Sequence, residues 1–114
     1  MSSPYRVAAE TLRSVAFGSI TNAFAVLGSA LTQPARLLKF ANTTDTDMLI
    51  SDDGTNSKII VPAGNTSVYD WGANRRSVDS EWMYAKGTQF YVKYISAPSR
   101  GAIYIESFYG DAGS

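Results

Sequence analysis

Between residues 36 and 71 the chain reads RLLKFANTTDTDMLISDDGTNSKIIVPAGNTSVYDW. Apolar and polar residues alternate there in successive runs, and the runs break where Gly, Pro, Asn and Asp gather. Period-two alternation is the mark of strands with one buried face, and such breaks are turns. Residues 35–42 are predicted as a strand with Leu38 and Phe40 on one face and Lys39 on the other. After a polar turn at residues 42–45, Met48 and Ile50 alternate with Asp47 and Ser51. Asp52-Asp53-Gly54-Thr55-Asn56 predicts a hairpin loop in which Gly54 takes positive φ. Ile59 and Val61 form the returning strand, Pro62-Ala63-Gly64-Asn65 turns the chain again, and residues 66–71 continue as a strand.

The flanks carry weaker versions of the same pattern. In residues 14–27 Val15 and Phe17 share one parity and Ile20, Phe24 and Val26 the other, with β-branched and aromatic content that favours strands. A helix competes over residues 21–30. Gln33-Pro34 opens a new segment. Residues 72–86 have no clean period and hold Arg75, Arg76, Trp82 and Tyr84 just after Trp71, so they read either as a functional loop or as a flap closing one end of the core. Residues 88–95 and 102–109 alternate clearly. Joined by SAPSRG, they are expected to pair with Tyr94 opposite Ile103, Val92 opposite Ile105 and Lys93 diagonal to Glu106. About seven to eight short strands with regular turn signals predict an all-β fold, an antiparallel β-sandwich of jelly-roll or Ig-like type. The expected organisation is an N-terminal arm over residues 1–13, helical or extended, and a single sandwich domain over residues 14–114.

Composition narrows the function classes. A chain of 114 residues fits one domain. Only 18% of residues are charged, against about 25% in typical domains, which predicts an exterior suited to contact with other protein. Ten basic residues balance ten acidic ones, so the excess of positive charge that drives nucleic-acid binding is missing. Cys and His are absent, which removes disulfides, thiolate chemistry and the commonest general base and metal ligand. The N-terminus has no secretory pattern, and no apolar run approaches the roughly 20 residues of a membrane span. Synthesis in a cytoplasm is expected, without membrane passage.

Several residue groups could carry chemistry. Asp45, Asp47, Asp52 and Asp53 with Asn56 offer oxygen ligands on turns, as a calcium site needs. Their spacing does not match the twelve-residue helix–loop–helix loop, and turn capping accounts for them. Asp70, Asp79, Glu81 and Glu106 could supply the two carboxylates of a glycoside hydrolase, although a small sandwich predicts no groove for it. No Ser-x-x-Lys arrangement or phosphate loop stands out, so no enzyme activity, cofactor or metal is expected. Trp71, Trp82, Tyr84, Tyr91 and Tyr104 could stack on sugar rings, or serve as core and subunit contacts.

Three segments, ALTQPARLLKFANTTDTDMLISDDGT, IIVPAGNTSVYDW and KGTQFYVKYISAPSRGAIYIESFYG, resemble a group of small tailed-phage virion proteins. In those proteins a strand of the RLLKF kind leads into a polar turn, a strand, a DG turn, a strand and a Pro-Ala-Gly turn. The chain then closes on a Gly-Thr-x-Phe-Tyr-Val-Lys-Tyr strand and a last strand ending in Phe-Tyr-Gly. The likeness spans residues 31–110. It implies a non-enzymatic structural component of the virion, assembling as a homo-oligomer at the neck, collar or tail, with other virion proteins as partners and no nucleic acid or membrane. The alternatives are a capsid decoration protein or a carbohydrate- or receptor-binding sandwich module. An arm at residues 1–13 could add a strand to a neighbour's sheet, and Arg75, Arg76 and Lys93 would tune the rim of such contacts.

Overall fold

The computed structural model describes residues 6–70 and 85–111. They form nine strands: β1 (Arg6–Ala9), β2 (Arg13–Ala16), β3 (Ala25–Val26), β4 (Leu37–Asn42), β5 (Met48–Ser51), β6 (Ile59–Val61), β7 (Thr66–Asp70), β8 (Tyr91–Tyr94) and β9 (Ala102–Asp111), with one 3-10 turn at Phe17–Ser19. All pairings are antiparallel. One sheet runs β1-β9-β4-β7 with β2 also on β9, and the other runs β3-β8-β5-β6.

The pairings are nested. β5 pairs with β6, β4 with β7, β3 with β8 and β2 with β9. The chain is thus one long antiparallel ribbon, doubled back at the Asp52–Asn56 loop and rolled so that its strand pairs fall into two facing sheets. That is a jelly roll, and it decides between the two sandwich types the sequence left open. The doubling point obeys the turn chemistry: Gly54 has φ 79, and the Ser51 hydroxyl and Asp53 carboxylate accept backbone N–H groups across the loop.

The core lies between the sheets. Leu38 and Phe40 of β4 and Ile103 and Ile105 of β9 face Met48 and Ile50 of β5, Val61 of β6 and Val92 of β8, all essentially inaccessible. Phe40 meets Phe90 edge-on at 5.5 Å between ring centroids and Tyr69 at 6.0 Å. Such edge-to-face pairs add to the burial of the rings. As expected, Leu38 and Phe40 point inward and Lys39 outward.

Three sequence expectations are decided by the pairing. β8 and β9 do not form a hairpin. Tyr94, Lys93 and Val92 lie opposite Met48, Leu49 and Ile50, while Ile103, Ile105 and Glu106 lie opposite Asn42, Phe40 and Lys39. The segment between the two strands crosses from one sheet to the other, so Val92 and Ile105 both enter the core from opposite layers. Gly101, at φ 86, lets this crossover lie flat on the Thr43 backbone. Residues 21–30 contain β3 and turns, with no helix. The expected N-terminal arm also contributes to the sheet: β1 pairs with the chain's own β9, Arg6 opposite Asp111 through Ala9 opposite Phe108.

Candidate functional site

The acidic turns are built from the backbone upward. Asp45 accepts from the Ser99 N–H and hydroxyl, which ties the 43–47 loop to the β8–β9 crossover. These bonds hold its carboxyl below the usual range. Asp47 accepts from the Ala63 N–H. Asp53 accepts from the N–H groups of Asn56 and Thr55 and from the Ser51 hydroxyl, and its carboxyl lies far below the ordinary aspartate range. Asp52 bridges to Lys58 at 3.1 Å, and this raises the lysine. The Asp53 carboxylate is thus taken up by the amides of its own turn, and those of Asp45 and Asp47 by amides of neighbouring loops. Among the described residues no group of three His, Cys, Asp or Glu side chains is placed to hold one ion.

The remaining candidates are scattered. Glu106 sits beside Lys39 at 3.4 Å on the outer face of the β9–β4 sheet. The backbone of Asp70 ends β7. Asp79 and Glu81, the aromatics Trp71, Trp82 and Tyr84, and Arg75 and Arg76 lie outside the described residues. Tyr91 and Tyr104 are on opposite sheets, and the loop at Gly54 packs against the Tyr91 ring, so these two phenols do not form one platform. Lys93 lies over the Phe24 ring at 4.7 Å on the outer face of the β8 sheet, a favourable cation–π placement.

The outer faces are apolar in places. Phe24, Lys93, Leu49 and Ile60 align across one sheet, with Ile60 half exposed and Val26 at 57%. On the other sheet Val68, at 56%, flanks the Lys39–Glu106 pair. Large aliphatic side chains left in water on both faces are the clearest surface feature among the described residues.

The arrangement least visible in the sequence is at Glu10 and Arg13. Ala9 lies opposite Phe108 and Arg13 opposite Ile105, so three residues on the edge face two on β9. This β-bulge re-aims side chains, and Arg13 enters the interior at 6% exposure. Its guanidinium donates to Ser29 O (2.6 Å), Glu10 Oε1 (2.7 Å), Ala30 O (2.9 Å) and Ser107 Oγ (3.1 Å). Glu10 in turn accepts from the Thr32 N–H and hydroxyl and from the Gln33 N–H. Burial by itself would push the Glu10 carboxyl up, but the bonds from Arg13 and Thr32 outweigh it and hold it below its usual value. Gly28, at φ 70, packs directly on the Arg13 stem. The only sequence sign of this cluster is a pair of opposite charges three apart, which also describes ordinary surface pairs.

No family model and no curated protein matches this chain.

Proposed function

We propose that this chain is a non-enzymatic structural subunit of a tailed-phage virion, assembling in many copies at the neck, collar or tail. The observation that carries the reading is the exposed aliphatic surface on both sheets, Val26 and Ile60 on one and Val68 on the other, set on a chain with zero net charge. Interfaces are rich in apolar and aromatic groups, and here the exposed aliphatics lie on the edge strands of each sheet, flanking Lys93 on one face and the Lys39–Glu106 pair on the other. The sequence likeness to phage virion proteins supports the same reading. The jelly roll is also a recurrent fold of viral shells and lectins, an analogy at the level of fold alone. Decoration of the head is the near variant, since it uses the same repeated contacts.

Native mass spectrometry across a concentration series is expected to give a closed oligomer of fixed stoichiometry, as cyclic assembly requires. Antibody labelling of particles is expected to place the chain on the virion. A monomer at every concentration, together with unlabelled particles, would refute the proposal.

A further inference from the structure

Beside the Glu10–Arg13 pair a cleft of about 280 Å³ opens between the β1–β9 edge and the loop at residues 29–33. We infer that this cleft binds a single neutral sugar ring. Its size sets the first limit: the volume lies just below the roughly 300–1,000 Å³ of pockets for drug-sized ligands, so one ring fits and an extended chain does not. Its electrostatics set the second. The two charges at its base are buried and spent on each other and on backbone groups. An ionic ligand meets no uncompensated partner there and would lose its hydration without return.

The third argument is the set of groups left over. The backbone groups of Ser29 and Gln33 are held by Arg13 and Glu10. The hydroxyls of Thr11 and Ser29, the Gln33 amide and the Tyr109 phenol line the same cleft and make no side-chain hydrogen bond among the described residues. They supply donors and acceptors together, as a ring of sugar hydroxyls requires. Tyr109 supplies the aromatic surface against which the C–H face of a sugar packs. Arg13 and Glu10 already fix the loop backbone, which lowers the ordering cost of binding. The site is separate from the outer faces assigned to assembly, and its occupancy does not depend on that reading.

The test is a two-dimensional amide NMR titration of the whole chain with the methyl glycosides of glucose, galactose, mannose and N-acetylglucosamine, and with inorganic phosphate and tetramethylammonium as charged probes. At millimolar concentration one of the glycosides is expected to shift the amides of Thr11, Ser29, Thr32, Gln33 and Tyr109 while those of Leu49 and Ile60 stay in place. Gln33→Ala and Tyr109→Leu, the latter keeping bulk at the position, are each expected to weaken binding about fivefold. The unchanged spectrum of the remaining residues would show that both variants fold. Three results would overturn the inference: no shift with any glycoside, shifts spread evenly over the surface, or a response confined to phosphate or tetramethylammonium.

Discussion

Glu10 and Arg13 meet at 2.7 Å inside the bulge of the edge strand, with 6% and 5% of their side-chain surfaces accessible. The contact joins three parts of the chain that the nested topology brings to one end of the sandwich: the β1–β2 edge, the 28–33 loop and Ser107 of β9. Removing one member strands the other as a buried charge, and that cost exceeds the value of the pair itself. Arg13→Ala is expected to destabilise by about 3–5 kcal/mol in denaturant unfolding. Arg13→Lys keeps the charge but cannot reach four acceptors with one ammonium, so an intermediate loss is expected. Equal stability of wild type and Arg13→Ala would show that the cluster is ornamental.

Acid should loosen the fold through three carboxylates. Glu10, Asp45 and Asp53 are each depressed in the folded chain below their ordinary values of 4.5, 3.8 and 3.8. The unfolded chain therefore takes up protons first as pH falls. Their stabilisation is complete above the ordinary values and is lost as pH drops through the folded ones. Unfolding midpoints are expected to be flat from neutrality to about pH 5 and to fall below pH 4.5. Glu10→Gln is expected to flatten that decline, and Asp53→Asn likewise. A midpoint that rises on acidification would contradict the assignment.

Three glycines separate backbone strain from steric contact. At Gly101, with φ 86, an added Cβ would run into the Thr43 carbonyl oxygen. Gly64, with φ 71, has nothing within 4 Å, and Gly18 has neither positive φ nor a close neighbour. Gly101→Ala is expected to prevent folding or to cost several kcal/mol, whereas Gly64→Ala should cost about 1 kcal/mol from the left-handed conformation alone. Gly18→Ala should be neutral or slightly stabilising. Thermal melts of the three variants give the ranking directly.

The assembly proposal is tested by surface charge. Ile60→Glu and Val26→Glu place carboxylates on the outer face of the β8 sheet, where both parent side chains are at least half exposed. Each should leave thermal stability within about 0.5 kcal/mol, as surface changes usually do, and should reduce oligomer mass in light scattering. Val68→Glu asks the same of the opposite sheet. Oligomers that survive all three substitutions would move the contacts elsewhere.

Phe40 is the centre of the packing. Its ring touches both Phe90 and Tyr69 and is fully enclosed. Phe40→Ala should cost about 3–5 kcal/mol, a large share of the stability of a domain this size, and the loss would appear as a lower denaturant midpoint with little change in slope.

The local grammar of the fold is written in the residues themselves. Alternation at Leu38 and Phe40, at Met48 and Ile50, and at Ile103 and Ile105 set which face of each strand is apolar, because successive side chains leave a strand on opposite sides. Gly54 and the Pro62–Asn65 segment marked turns, because their chemistry acts within four residues. The β5–β6 hairpin was legible for the same reason: its partners are neighbours in the chain. The edge neighbours of the other strands were decided by the tertiary structure. Backbone N–H and C=O groups are the same at every residue, so alternation cannot tell β8 to pair with β5 rather than β9. That choice came from packing two layers around one core, and it put Val92 and Ile105 in facing sheets. The bulge that buries Arg13 belongs to the same category. An extra residue in an edge strand has no mark in a single sequence, and only the assembled end of the sandwich, with Glu10, Ser29, Ala30 and Ser107 converging, makes a buried guanidinium affordable.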